Sequence, residues 1–150
     1  MLKQMHATVL LIALLSAGGC STSPTLGKQS RANSLDTSVE AYRKLIRWGY
    51  YDEAAKYLLK SDGVAAPANL DQMARYRVTS YEFGSKLLAD TGKEARVIAA
   101  IEYYEIDRGV ISTLRDEQLW WFDDGSKHWY LSYGLPAFGA KSSRPPSVIH

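Results

Sequence analysis

The sequence has few of the groups that usually build disulfides, metal centres or nucleophilic sites. Its only cysteine is Cys20, so no intramolecular disulfide can form and a folded domain must be stabilised by its core. Of the three histidines, only His128 lies within the part of the chain predicted to fold. A metal site would therefore depend mainly on carboxylates, and neither a metal nor another cofactor is predicted.

The chain also lacks an excess of either charge. It has 18 lysines and arginines against 16 aspartates and glutamates, and no block of like charge occurs. Nucleic-acid-binding domains usually present a basic face that neutralises phosphates. The composition therefore gives no indication of a nucleic-acid partner.

The apolar run near the N-terminus is too short to cross a membrane permanently. It extends without charge from Ala7 to Gly19 and follows a polar start that contains Lys3. A membrane-spanning helix needs roughly 20 apolar residues. A charged start, a short apolar run and small residues are typical of an export signal, so residues 1–19 are assigned to a signal peptide.

The end of this signal places small residues directly before the lone cysteine, as Ser16-Ala17-Gly18-Gly19-Cys20. The segment resembles the bacterial lipoprotein signal. The resemblance implies cleavage between Gly19 and Cys20 and acylation of Cys20, through which the protein would bind membrane lipid. Each buried methylene contributes ~0.8 kcal/mol, so two or three acyl chains hold a protein firmly. Ser21, in a position where aspartate would retain a lipoprotein at the inner membrane, implies the periplasmic face of the bacterial outer membrane.

Three further segments follow from composition. Residues 20–34 are rich in serine and threonine and show no apolar period, which predicts a flexible tether behind the lipidated cysteine. Residues 35–138 are long enough for one domain and too short for two. Residues 139–150 contain two adjacent prolines and predict a disordered tail.

The first half of the domain shows helical patterns. Thr37 and Glu40 have the spacing of a capping box, apolar residues recur behind them at helical intervals, and Gly49 suits the end of this helix. A second helix is predicted to begin near Asp52. A third, short helix is predicted to be capped by Asn69.

From Arg77 onward the pattern alternates and short turns recur, which predicts an antiparallel meander. A bend is expected at Gly84-Ser85. Helices followed by strands predict an α+β domain, with the helices packed on one face of a long, curved four-stranded antiparallel sheet. The predicted strands are Val78 to Ala89, Ala95 to Ile106, Val110 to Phe122 and His128 to Tyr133.

This order of elements resembles the NTF2-like (cystatin-like cone) superfamily. The segments "YYDEAAKYLL", "IEYYEIDRGVISTLRDEQLWWFDDGSKHWYL" and "GLPAF" are similar to small bacterial lipoproteins of that group. The resemblance implies a cone-shaped pocket between helices and sheet. Members of the superfamily include isomerases, cyclases, dehydratases and transport factors, and many pair through their sheets, so the resemblance also implies that a homodimer can form.

A tyrosine and a carboxylate in an apolar pocket can support proton abstraction beside a carbonyl. Alternation places Glu102 and Tyr104 on one face of the second strand and Tyr103 on the other. The same pattern is typical of a half-buried sheet with a solvated outer face, so spacing alone does not assemble a catalytic site. The candidate catalytic residues are Glu102, Tyr103, Tyr104, Asp107 and Asp116.

Three tryptophans, Trp120, Trp121 and Trp129, are candidate binding residues because large aromatic side chains dominate both cores and interfaces. Trp120 and Trp121 are adjacent on a strand and must point to opposite faces. One indole therefore lines a pocket or marks a contact surface. Trp120 with Phe122, and Trp129 with Leu131, are predicted to pack around the last turn, while His128 is expected to face solvent.

These observations favour a lipid-anchored, non-enzymatic binding or assembly module with an envelope protein as a partner. Two alternatives stay open: a carrier of a small apolar ligand in the cone pocket, and an isomerase- or cyclase-type enzyme that uses a tyrosine and a carboxylate. The enzyme hypothesis requires one of the candidate carboxylates to be buried near a tyrosine. It fails if Glu102, Asp107 and Asp116 all face solvent.

Overall fold

The computed structural model describes residues 24–140. Three helices are followed by four strands, which pair as an antiparallel sheet in chain order. The predicted α+β fold is confirmed, with the element order that the NTF2-like resemblance implied. Cys20, the signal peptide and residues 141–150 of the predicted tail lie outside the described residues. The elements are α1 (Pro24–Trp48), α2 (Tyr51–Ala55), α3 (Leu70–Ala74), β1 (Tyr76–Leu88), β2 (Glu94–Glu105), β3 (Ile111–Asp123) and β4 (His128–Leu131).

The first helix begins much earlier than predicted. α1 starts at Pro24, so the prediction of a flexible tether over residues 24–34 is wrong. The reason is tertiary: the Trp129 indole N–H lies 3.2 Å from the Arg31 carbonyl oxygen and 3.0 Å from the Ser34 hydroxyl. The Arg31 guanidinium also lies 5.8 Å from the centre of the Phe122 ring. These contacts stabilise a segment whose composition alone does not favour a helix.

The predicted helix start near Thr37 is therefore also wrong. Thr37 lies inside α1, where its hydroxyl donates back to the Asn33 carbonyl oxygen at 3.1 Å. The other predicted helix signals are confirmed. Gly49 has a φ of 77° just after α1, and the Asn69 side chain accepts a hydrogen bond from the Gln72 backbone N–H at 3.0 Å. No helix within residues 24–140 is long and apolar enough to cross a membrane.

The sheet follows the predicted strands within one or two residues at every strand end. The predicted bend in β1 is confirmed as a register shift between Phe83 and Ser85, and a second shift lies between Val78 and Ser80. β4 ends at Leu131. Its outer edge is covered by the segment after α2, since the Leu131 N–H donates to the Tyr57 carbonyl oxygen at 2.7 Å.

The core lies between α1 and the inner face of the sheet. On β2 the inner residues are Val97, Ala99 and Ile101, all fully buried. Edge-on ring contacts at 5.5–5.9 Å join Tyr42 of α1, Tyr57 and Trp120 of β3 in the middle of this layer. Side chains therefore fill the region where α1 packs on the sheet.

Candidate functional site

The inner face of β3 carries two polar residues within the core. Asp116 is 4% exposed and Gln118 is fully buried, and alternation on the strand directs both toward α1. The residue opposite Asp116 on β2 is the small Ala99. Its short side chain leaves space for polar groups of β1 and β3 to meet above β2.

Gln118 is the centre of this polar network. Its amide nitrogen donates to the Tyr81 hydroxyl at 2.6 Å and to the Asp116 carboxylate at 2.7 Å, while its carbonyl oxygen accepts from the Trp120 indole at 3.0 Å. An indole N–H can only donate, which determines the orientation of the amide. Gln118 thus uses both N–H groups and its carbonyl, and it connects β1 to β3 across β2.

Tyr81 is held in its neutral form. Burial raises the pKa of the Tyr81 hydroxyl well above its ordinary value, and the nearby Asp116 charge raises it further. The Gln118 hydrogen bond and Arg43 of α1 act in the opposite direction with smaller effect. A neutral phenol beside a carboxylate is the arrangement that the enzyme hypothesis requires, and here it is made by Tyr81 and Asp116.

The structure does not bring the five candidate catalytic residues together. Glu102 is exposed on the outer face of β2, and Asp107 is exposed in the turn that follows β2. Tyr104 is half-buried on the outer face, whereas Tyr103 is buried and its hydroxyl accepts from the Gly139 backbone N–H at 3.1 Å. Asp116 alone lies in a buried polar cluster.

Tyr81 and Gln118 were missed by sequence reasoning, although part of the signal was present. On β3, Asp116 and Gln118 alternate with more exposed residues in phase with Trp120, which is a sign of polar groups on the core face. Tyr81 could not be assigned in this way, because two register shifts interrupt the alternation of β1.

The network is closed to solvent in this structure. Tyr81 is 2% exposed, similar to Asp116 and Gln118. A substrate would have to displace core side chains before it could contact these groups. The satisfied hydrogen bonds therefore act mainly on the stability and specificity of the core.

An open groove lies elsewhere, between the outer side of α1, the end of α2 and β4. Its volume is about 650 Å³, within the range of small-molecule sites. We call it the α1–α2–β4 groove. Its lining consists of Ser34, Thr37, Ser38, Ala41, Leu45, Glu53, Lys56, Tyr57, Lys127, His128, Trp129 and Tyr130.

The groove combines an apolar wall with a charged rim. Its aromatic and aliphatic residues supply contact area, and serine and threonine hydroxyls lie along α1. Lys56 pairs with Glu53 at 2.6 Å, and Lys127 lies 4.0 Å from Asp124 in the β3–β4 turn. This lining would complement an amphipathic ligand, that is, a molecule with an apolar body and a polar end.

The three tryptophans have different positions. Trp120 is fully buried, so its prediction as a contact residue is wrong, and Trp129 is a core residue that also lines the groove. Trp121 is half-buried on the outer face, where its indole donates to the Leu59 carbonyl oxygen at 2.6 Å. The packing of Trp129 around the last turn is confirmed by its ring contact with Phe122, at 5.3 Å between centroids.

His128 is exposed at the start of β4, as predicted, and lies beside the groove. Its ring centre is 6.5 Å from that of Tyr130. Across residues 24–140, the histidine and carboxylate side chains form no group of three or more that could hold a metal ion.

No family model and no curated protein matches the sequence. Two solved structures are similar in architecture. One is the epoxide hydrolase/cyclase-like enzyme SalBIII, described for pyran ring formation in the polyether salinomycin, at 12% identity and a TM-score of 0.46, over 72% of this chain and 93% of the other. The second is a putative polyketide cyclase from Xanthomonas campestris pv. campestris, at 14% identity and a TM-score of 0.41, over 71% and 92%. Similarity at this level concerns the fold alone, and a function must be inferred from the residues of this chain.

Proposed function

We propose that this protein is a lipid-anchored, non-enzymatic binding protein of the bacterial outer membrane, which holds a small amphipathic molecule in the α1–α2–β4 groove. The single observation that supports binding is the open groove of about 650 Å³ with an aromatic wall. The anchor is supported by the lipoprotein-type segment that ends at Cys20. Relative to the expected cone-pocket carrier, the proposed binding site is displaced to the outer side of α1.

The groove suits binding by apolar contact. Sites of this size gain most of their affinity from apolar and aromatic walls, and a few polar groups set the orientation of the ligand. Tyr57 provides a rigid ring at low entropic cost, and Ala41 and Leu45 complete the apolar surface on α1. An envelope protein partner and a homodimer stay predictions of the sequence.

The test uses a substitution on α1 that fills the groove with a larger side chain. Ala41 is half-buried and lines the groove, so Ala41→Trp should occupy the ligand volume without disturbing the core. We expect the affinity for N-phenyl-1-naphthylamine, an uncharged apolar fluorophore, to fall at least about tenfold, which corresponds to ~1.4 kcal/mol. The matched control is Ala100→Trp, because Ala100 is exposed on the outer face of β2. Equal affinities in the two variants would contradict the groove as the binding site.

An isomerase- or cyclase-type enzyme is the second candidate, favoured by the buried Tyr81 and Asp116 cluster. Catalysis would require the core to open locally, after which Asp116 would accept a proton and Tyr81 would donate to the developing oxyanion. The test is deuterium incorporation next to the carbonyl of an apolar methyl ketone in heavy water. Exchange that is lost in Asp116→Asn and Tyr81→Phe would support the enzyme, and exchange no faster than in buffer would exclude it for this substrate class.

A further inference from the structure

The early start of α1 places a limit on how far the domain can lie from its anchor. Pro24 is four positions after Cys20, and four residues extend over at most about 14 Å. A tether up to residue 34 would have allowed more than twice that reach. If Cys20 is acylated as proposed, the end of the domain where α1 begins lies next to the lipid surface.

One end of the groove lies at this same end of the domain. Lys28, near the start of α1, pairs at 3.3 Å with Asp90 in the β1–β2 turn. Trp129 bonds to the backbone of Arg31, and Lys127 in the adjacent β3–β4 turn lines the groove together with Ser34. Along α1, Ser34 is only about 15 Å from Pro24, at 1.5 Å per residue. If Cys20 is acylated, the mouth of the groove at Lys127 is therefore no more than about 30 Å from the lipid surface.

The length of the groove suits one acyl chain. Its lining on α1 extends from Ser34 to Leu45, a distance of about 17 Å along the helix axis. One leaflet of a bilayer contributes half of a hydrocarbon core of about 30 Å, or roughly 15 Å. A chain that spans one leaflet would therefore fit lengthwise against the apolar wall.

The charge at the mouth favours an anionic head group. Lys127 at the mouth has a side chain that is 71% exposed and lies 4.0 Å from Asp124, the outer limit of an ion pair, so its cation can bind a further anion, whereas Lys56 already pairs with Glu53 at 2.6 Å. Within residues 24–140, Lys127 is the only residue other than glycine with a positive φ, at 59°. Glycine adopts this backbone conformation more readily than lysine. The Lys127 backbone therefore carries strain that a glycine at this position would not.

From these observations we propose that the groove accepts the acyl chain of an anionic single-chain lipid from the membrane that holds Cys20, with the head group at Lys127. This inference rests on the proposed function, since it names the ligand class of the same groove and assumes the same anchor. The ligand would enter at the mouth beside the bilayer and extend along α1 toward α2.

The first experiment tests the head group with the lipidated protein in phosphatidylcholine vesicles. The probes are a fluorescent twelve-carbon fatty acid and its methyl ester. Lys127→Glu should weaken binding of the acid about five- to tenfold, as expected for reversal of one partly exposed charge, and leave the ester unchanged. Lys127→Gly should weaken binding of the acid and raise the urea midpoint, because it removes both the cation and the backbone strain.

The matched control is Lys60→Glu, because Lys60 is exposed and outside the groove. It should leave both affinities unchanged. Equal binding of acid and ester by the parent protein, with no effect of Lys127→Glu, would overturn the anionic head group. The groove as a binding site would then still be supported if Ala41→Trp abolished binding of both probes. Failure of Ala41→Trp to weaken either probe would instead contradict the proposed function.

The second experiment tests the membrane as the source of the ligand. A flexible glycine- and serine-rich insert of about 15 residues before Pro24 would move the groove away from the bilayer and lower the effective concentration of lipid at its mouth. We expect transfer of the fluorescent acid from the vesicle to the groove to slow at least about threefold. The affinity of the soluble Cys20→Ser chain for the same acid should not change with the insert. Unchanged transfer would overturn delivery from the anchoring membrane.

Discussion

The Gln118 side-chain amide on β3 donates a 2.6 Å hydrogen bond to the Tyr81 hydroxyl on β1, although β2 lies between the two strands. The contact joins β1 to β3 through side chains, whereas neighbouring strands of the sheet are joined by backbone hydrogen bonds. Both residues are almost completely buried, so the interaction is made in a medium of low polarity. Its loss should therefore be costly.

Replacement of Gln118 by leucine should destabilise the domain by about 2–4 kcal/mol. The variant leaves the Trp120 indole without its acceptor and removes the amide donors from Tyr81 and Asp116. Urea unfolding of the Cys20→Ser chain, followed by tryptophan fluorescence, measures the change. Thr113→Val on the exposed face of β3 is the control and should change stability by less than about 0.5 kcal/mol. A similarly small effect of Gln118→Leu would show that the network contributes little.

Stability should fall in alkaline solution because the pKa of Tyr81 is raised, first by burial and then by Asp116. The neutral phenol is favoured in the folded state, so its contribution is complete below the unfolded pKa of about 10 and is lost as the pH rises toward the folded value. Through the Tyr81 phenol alone, the free energy of unfolding should decrease by up to about 1.4 kcal/mol per pH unit in that range.

The check is urea unfolding of the parent and of Tyr81→Phe between about pH 8 and pH 11, a range that includes the ordinary tyrosine pKa of about 10. Tyr81→Phe should show a shallower loss of stability above the unfolded pKa. Burial also raises the pKa of Tyr51, so Tyr51→Phe should reduce the slope by a smaller amount. Identical slopes in the parent and Tyr81→Phe would refute the assignment.

Trp129→Phe should loosen the first turns of α1. The substitution keeps the ring in the core but removes the N–H that donates to the Arg31 carbonyl oxygen and the Ser34 hydroxyl. We expect a loss of about 1–2 kcal/mol and faster amide hydrogen exchange over residues 28–36. Trp48→Phe, at a side chain that is 70% exposed, should change neither quantity. If the parent already exchanges at random-coil rates in this segment, the docked start of α1 is refuted.

Local chemistry was sufficient to predict much of the architecture. Gly49 and Asn69 mark helix boundaries by the geometry of one residue and its neighbours, so their roles could be recognised from the sequence. The strands likewise follow from alternation and short turns, because side chains on a strand point alternately to a buried and a solvated face. The bend at Gly84-Ser85 belongs to the same class of local signal.

The start of α1 was not predictable in this way. The segment from Pro24 to Ser34 has the composition of a linker and becomes helical in contact with β3 and β4, almost 100 residues later in the chain. Composition measures whether a segment can bury its own surface. It does not include hydrogen bonds that a distant indole supplies.

The sequence by itself determined the order of helices and strands, the turns between them and the segment that resembles a lipoprotein signal, because each depends on residues close together in the chain. Only the tertiary structure decided that Tyr81 meets Asp116 through Gln118, that Trp120 is buried, and that the open groove lies beside α1 and β4. These features depend on strand register and helix docking, which bring together residues from distant segments. Register shifts in β1 and a tertiary contact at Trp129 therefore decided which polar groups are buried and where the groove lies.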